Sequence, residues 1–92
     1  MFESIAKLLK NHFKKIDFIE IDFIENNNDK KFSMGITYKK VYMISIEILD
    51  DKTYDLMLID IYSEKILKSY TNKFDEENSF LFIIDKFIGL TK

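Results

Sequence analysis

The sequence contains no cysteine, proline, tryptophan, arginine or glutamine, and it has only two glycines and one histidine. Without cysteine there is no disulfide and no Cys/His ligand set for structural zinc, so apolar packing must hold the chain together. Two isolated glycines, Gly35 and Gly89, cannot build a loop that cradles a nucleotide phosphate. A single histidine, His12, excludes a multi-histidine metal site and leaves little for Ser-His-Asp or Cys-His catalysis. We therefore expect no enzyme activity, no cofactor and no metal.

Charge is nearly balanced, because 14 lysines face 16 acidic residues and the formal net charge is −2. Arginine is the preferred residue for bidentate contacts to phosphates and base edges, so its absence argues against direct nucleic-acid binding. Lysine without arginine, beside abundant Ile, Asn, Phe and Tyr, indicates an AT-rich genome. The apolar residues of the first fifteen positions are interrupted by lysines, so we expect neither a signal peptide nor a membrane span there. We expect a cytoplasmic protein, in its own cell or in the cytoplasm of an infected host.

The length and composition predict one folded domain that spans residues 1–92. Single domains typically have 50 to 200 residues, so 92 residues are enough for one domain and not for two. Hydrophobic residues make up 47% of the chain, which places it outside the disordered class.

Both ends of the chain have the pattern of an amphipathic helix. From Phe2 to Phe13 apolar residues recur at steps of three and four, with lysines on the opposite side. Near the other end, three acidic residues precede an apolar series that starts at Phe80, as in the first turn of a helix. We predict a second helix there, capped by Asp75 and ended by Gly89.

The middle of the chain alternates between apolar and polar residues and predicts five β-strands. Residues 16–25 repeat Ile-Asp-Phe-Ile-Glu twice, and a four-residue turn at 26–29 would pair Phe23 with Phe32. A three-residue connection at 39–41 would place Tyr38 opposite Tyr42. The weak alternation of residues 66–72 predicts an edge strand. The expected fold is α+β: helix, five-stranded mostly antiparallel meander, helix, with both helices on one sheet face.

The turn between the third and fourth strands decides which side chains are exposed. A four-residue turn at 50–53 pairs Leu49 with Tyr54 and brings Met57 to the core face. The back of the sheet would then be apolar, carrying Val41, Met43, Leu49, Tyr54, Leu56, Leu58 and Tyr62. Exposed apolar patches usually mark an interface. In the alternative, helix 1 crosses to this face and buries the patch inside the monomer.

Acidic residues are concentrated near the same strands: Glu47, Asp50, Asp51, Asp55, Asp60 and Glu64. Their spacing matches no calcium-binding loop, and a thin meander offers no cleft for paired catalytic carboxylates. They are either solvated turn residues or an electrostatic surface that attracts a basic partner. The lysine pairs at 30–31 and 39–40 could flank base-stacking tyrosines, but Tyr38 and Tyr42 have the parity of core residues.

These observations predict a non-enzymatic protein-binding module. Its most specific form is a small acidic inhibitor from a phage or mobile element that occludes a basic surface of a CRISPR effector or another defence nuclease. The alternatives are a homo-oligomeric structural domain, with a two-fold interface over the apolar back, or a toxin-immunity protein. We expect a protein partner, with no direct nucleic-acid or membrane contact and with a homodimer as an option. The candidate partner-binding residues are Met43, Glu47, Asp50, Asp51, Tyr54, Leu56, Leu58, Asp60 and Tyr62.

Overall fold

The computed structural model describes residues 2–89, which form two helices and five strands. The elements are α1 (Phe2–Lys14), β1 (Ile19–Asn27), β2 (Lys31–Tyr38), β3 (Tyr42–Leu49), β4 (Thr53–Asp60), β5 (Ile66–Lys73) and α2 (Glu77–Ile88). The five strands form one antiparallel sheet in chain order, so that β1 and β5 are its edges. This confirms the predicted order of elements and the predicted edge strand.

Both helices pack on the same face of the sheet. Phe2 of α1 has its ring centroid 6.0 Å from that of Phe32 on β2, and Phe80 of α2 lies 5.1 Å from Tyr54 on β4. Phe32 and Tyr54 flank Ile48 in the sheet register, since Phe32 pairs with Ile48 and Ile48 pairs with Tyr54. The α+β fold with both helices on one side is therefore confirmed, and the core lies between the helices and this face. We call this side of the sheet the helical face.

The two helices run parallel to each other. In an antiparallel sheet of five strands in chain order, β1 and β5 point in the same direction. Each helix runs antiparallel to the strand next to it in sequence, which is β1 for α1 and β5 for α2. Two polar contacts with the same residue offset mark this arrangement. The Ser4 hydroxyl donates to Glu77 Oε1 at 2.6 Å, and His12 Nε2 lies 2.6 Å from Asp85 Oδ1. The His12 ring is also half-buried beside Phe13, so this histidine joins the two helices.

The core is formed by alternate residues of the three central strands, by one stripe of each helix, and by Phe74 from the connection between β5 and α2. Its buried side chains are Phe2, Ile5, Leu9, Phe13, Phe32, Met34, Ile36, Ile44, Ile46, Ile48, Tyr54, Leu56, Leu58, Phe74, Phe80 and Ile84. No polar or charged residue in the described part of the chain is buried with them. Apolar burial of this kind contributes roughly 25 cal/mol per Å² and is the main stabilising term in a chain without cross-links.

The three tight hairpins use left-handed backbone conformations at residues other than glycine. Lys39 and Lys40 have φ values of 55° and 58°, and the following N–H of Val41 donates to the Tyr38 carbonyl. Positive φ at both central residues is the type I′ geometry that suits the twist of a hairpin. The predicted three-residue connection at 39–41 is confirmed, with Tyr38 opposite Tyr42 and Ile36 opposite Ile44.

The predicted turn between β3 and β4 is wrong by one residue. The connection has three residues, 50–52, because Lys52 adopts a φ of 69° and its N–H donates to the Leu49 carbonyl. Ile48 consequently pairs with Tyr54, and Ile46 pairs with Leu56. A shift of one residue turns every side chain of a strand to the other face.

The predicted register of β1 is also wrong. Asn28 and Asp29 both have positive φ, the connection covers 28–30, and Asn26 rather than Phe23 pairs with Phe32. A bulge at residue 22 then changes the register, so that Phe23 lies over Gly35. A Cβ built on Gly35 would overlap the ring of Phe23, so any other residue at this position requires the ring to move.

The ends of α2 differ from each other in how they are capped. Glu76 is the N-cap residue and makes no side-chain capping bond, so the prediction that Asp75 caps the helix is wrong. Gly89 ends the helix as predicted, with φ at 86° and its N–H directed to the carbonyls of Asp85 and Lys86. This left-handed C-terminal conformation is the one that glycine adopts without a steric cost.

Candidate functional site

The sheet face opposite the helices is solvent-accessible, and no helix in residues 2–89 covers it. We call it the open face. The strand register arranges its side chains in rows that run across the sheet. One row contains Glu20, Thr37, Met43, Ile59 and Ile66. The next row contains Phe23, Gly35, Ser45, Met57 and Ser69. The apolar side chains of these two rows form a hydrophobic patch on β3, β4 and β5, which consists of Met43, Met57, Ile59 and Ile66. The remaining apolar member, Phe23, is on β1.

A third row across the open face is acidic and contains Glu25, Ser33, Glu47, Asp55 and Thr71. Glu47 and Asp55 are directly opposite each other on β3 and β4. With Glu20 and Asp22, the open face has five carboxylates against two lysines, Lys31 and Lys73, which is a net charge of −3. The face therefore combines an apolar patch with a negative field beside it.

Three of these carboxylates are held by neighbours on the same face. Lys31 Nζ lies 2.7 Å from Glu47 Oε2. The hydrogen bond to Glu47, and then its charge, raise the pKa of Lys31 above the ordinary value. The Thr71 hydroxyl donates to Asp55 Oδ1 at 2.9 Å, and the Thr37 hydroxyl donates to Asp22 Oδ2 at 2.6 Å. These contacts fix the positions of the acidic groups, although each pair is exposed and adds little stability.

The acidic residues in the loops shape the turns. Asp51 Oδ1 accepts a hydrogen bond from the Thr53 N–H at 2.9 Å, and hydrogen bonds from Thr53 lower the pKa of Asp51. Asp60 Oδ1 accepts hydrogen bonds from the N–H groups of Tyr62 and Ser63. Within residues 2–89 no three His, Cys, Asp or Glu side chains converge as a metal site would require.

The candidate partner-binding residues fall into three places. Met43 and Glu47 lie on the open face, as predicted. Asp50 and Asp51 lie in the β3–β4 turn, Asp60 ends β4, and Tyr62 is 78% exposed in the loop that follows. The remaining three, Tyr54, Leu56 and Leu58, are in the core.

The prediction that Tyr54, Leu56 and Leu58 belong to an exposed back surface is wrong. The three-residue turn at 50–52 directs them to the helical face, where Tyr54 packs against Phe80. A two-fold interface built on these residues is excluded for the same reason. Sequence reasoning missed Met57, Ile59 and Ile66, which take the open-face positions instead; Ile66 is exposed there, and Met57 and Ile59 are half-buried. The signal was Asp55, which the predicted register would have placed against the core.

The other aromatic candidates are partly covered. Tyr38 and Tyr42 are half-buried and pack against the core, in agreement with their parity. Lys39 Nζ lies 5.1 Å from the centroid of the Tyr38 ring, which is a cation–π contact within the turn. The lysine and tyrosine side chains at this turn therefore contact each other.

Stability should depend on the Tyr54 hydroxyl in alkaline solution. Burial raises the pKa of Tyr54 above its ordinary value of 10.0, because desolvation penalises the phenolate. The stabilisation by neutral Tyr54 is then fully present below about pH 10 and is lost as the pH rises through the folded-state pKa. We expect the urea midpoint of wild type to fall more than that of Tyr54→Phe between about pH 8 and about pH 11.

The raised pKa of Lys31 affects the stability of wild type and of Tyr54→Phe in the same direction as the pH rises. The difference between the falls of their two urea midpoints therefore isolates the contribution of Tyr54. Equal falls in the two midpoints would contradict this account of the Tyr54 environment.

No protein-family model matches the chain, and it has no significant match to a curated protein or to a solved structure. Neither helix of the described part of the chain is long and apolar enough to cross a membrane.

Proposed function

We propose that this chain is a non-enzymatic protein-binding module that uses its open face to bind a basic protein surface. The observation that carries the proposal is the composition of that face, where the apolar patch of Met43, Met57 and Ile59 adjoins the acidic row of Glu47 and Asp55. Methionine is enriched at protein interfaces and adapts to different partner shapes. An uncovered apolar patch bordered by charge is typical of an interaction site.

The negative charge of the open face favours a partner with a positively charged surface. A net charge of −3 on one sheet face attracts a positively charged surface, speeds association and fixes orientation. In its most specific form, the proposal is a small stoichiometric inhibitor from a phage or mobile element. Such a protein would occupy the basic nucleic-acid channel of a CRISPR effector or another defence nuclease. The support for this form is the sign of the charge and the uncovered sheet face that presents it.

The first step of the test identifies the partner by its contact with the open face. A photo-crosslinking amino acid is placed at Met57 on the open face or at Lys10 on the exposed side of α1. We expect crosslinks in cells of the native host from position 57 and none to the same protein from position 10. Crosslinks only from position 10 would contradict the proposal.

The second step measures binding of the purified partner by calorimetry. We expect one chain per partner and competition by nucleic acid if the chain acts as an occluding inhibitor. Met43→Lys combined with Met57→Lys should weaken Kd by at least about 30-fold, the scale of an interface hot spot. Lys7→Glu combined with Lys10→Glu, on α1, is the matched control and should bind like wild type. Wild-type affinity in the methionine variant would overturn the open-face proposal.

A further inference from the structure

The outer edge of β5 is open for strand pairing. No strand within residues 2–89 pairs with this edge, and all eight residues from Ile66 to Lys73 are exposed. The β4–β5 register shifts between Ile66 and Lys68 and is regular from Lys68 to Lys73, so this part of the edge has no bulge. An edge without a bulge presents unpaired backbone N–H and C=O groups with the spacing that an added strand requires.

The opposite edge of the sheet is poorly suited to pairing. β1 is interrupted by the bulge at Asp22 and carries Glu20 and Glu25 as well. Bulges and charged side chains are the features with which proteins prevent edge-to-edge association. Each edge therefore has one register shift, but the β5 edge has the longer regular stretch, Lys68–Lys73 against Phe23–Asn27, and carries no acidic residue.

A lysine within an edge strand normally discourages pairing, but Lys68 is turned away from the edge. Its Nζ donates to the Phe87 carbonyl at 3.0 Å and lies 5.7 Å from the centroid of the Phe87 ring. The amine is thus held against α2 on the helical face. Between Ile66 and Asn72 the strand has no other charged residue.

A groove lies beside this edge, between β5 and α2. It has a volume of about 420 Å³, and its walls include Tyr70 from β5 and Phe82 and Phe87 from α2. Phe82 is 61% exposed, so one wall of the groove is apolar and accessible. Lys86 of α2 and Lys73 at the end of β5 also line the groove. Lys73 lies opposite Thr53 in the register of the open face and has its Nζ 3.7 Å from Asp51 Oδ2, so the positive charge of the groove comes from Lys86.

We propose that the β5 edge and the groove bind an extended segment of a partner protein as a sixth strand. Side chains of a strand alternate between faces, so every second residue of the added strand would point toward the groove. An apolar side chain opposite Tyr70 would enter it beside Phe82. Carboxylates two residues away on either side would lie opposite Lys68 and Asn72, on the side of the sheet where Lys86 lines the groove. The edge and the groove would therefore recognise a five-residue sequence whose central residue is apolar and whose first and last residues are acidic.

This inference does not depend on the open-face proposal. The groove lies on the helical face, and its positive charge is opposite to that of the open face. Variants at Phe82 and at Met57 alter separate surfaces, so the two proposals succeed or fail separately.

The test uses the peptide Thr-Glu-Thr-Phe-Thr-Glu-Thr, titrated into the isotope-labelled chain to about 2 mM so that millimolar affinities are detected by NMR. We expect amide shifts along Ile66–Lys73 and around Phe82 in α2. Phe82→Ala should weaken Kd about tenfold, because it removes the exposed wall of the groove. Phe18→Ala is the matched control, because Phe18 is also exposed, at 72%, beside the other edge of the sheet, and this substitution should leave Kd unchanged.

Two altered peptides separate charge from backbone pairing. Lysine in place of glutamate should weaken binding through repulsion from Lys86, and N-methylation of alternate peptide bonds should abolish it. The proposal is overturned if no shifts occur, if they map to β1, or if the lysine peptide binds equally well. Concentration-dependent shifts of β5 without peptide would also overturn it, because the occupant would then be a second copy of the chain.

Discussion

Phe80→Ala is expected to lower the free energy of unfolding by about 3–5 kcal/mol, the usual cost of removing a buried phenylalanine. Phe80 is 1% exposed and is in contact with two other aromatic rings. Its ring centroid lies 5.1 Å from Tyr54 in an edge-on arrangement and 4.9 Å from Phe74 in a stacked one. Domains have total stabilities of about 5–15 kcal/mol, so this variant should be marginally folded. Urea unfolding followed by circular dichroism measures the change.

The matched control for this prediction is Phe82→Ala, two residues further along the same helix. Phe82 is exposed, so the identical substitution removes little buried area, and alanine is the best helix former. We expect a change within about 0.5 kcal/mol of wild type. Similar losses in the two variants would show that the aromatic cluster of Tyr54, Phe74 and Phe80 does not anchor α2.

The alternation of apolar residues was sufficient to predict the elements but not every register. β2 and β3 have one apolar parity, from Phe32 to Ile36 and from Ile44 to Ile48, and the connection between them was predicted correctly. Because one sheet face is buried, such strands have only one register that places their apolar residues in the core. The edge position of β5 also followed from its weak alternation.

The register of β4 could not be obtained from alternation, because this strand is apolar at both parities. Tyr54, Leu56 and Leu58 have one parity, and Met57 and Ile59 have the other. The turn length then decides which set is buried, and its left-handed residue is Lys52. Left-handed turn positions are usually recognised by glycine or asparagine, so a lysine there gave no signal.

The same physical reason explains which part of the candidate site was predicted. Met43 and Glu47 belong to β3, whose register was correct, and both lie on the open face. The three candidates on β4 were inverted because the turn before them was one residue too long. The groove beside β5 depends on how α2 packs over Tyr70, and sequence periodicity contains no information about that distance.

A pair of substitutions on β4 gives the second large effect and tests the inverted register directly. Leu56→Lys places an ammonium group at a position that is 0% exposed, between Ile46 and Tyr70 in the sheet register. A buried ammonium must either lose its proton or disrupt the packing around it. We expect a loss of more than about 4 kcal/mol, the range reserved for severe core defects. NMR spectra should show that the chain is unfolded.

Met57→Lys is the matched substitution at the neighbouring residue, and we expect it to leave the chain folded. Met57 lies on the open face between Ser45 and Ser69, where the long lysine side chain reaches water. The new charge also lies diagonal to Glu47 on β3 and two residues from Asp55 on the same strand, and both carboxylates attract it. With a four-residue turn after β3 the two outcomes would be exchanged, because Met57 would be in the core and Leu56 outside. A folded Leu56→Lys chain beside an unfolded Met57→Lys chain would thus reject both the observed register and the open face that depends on it.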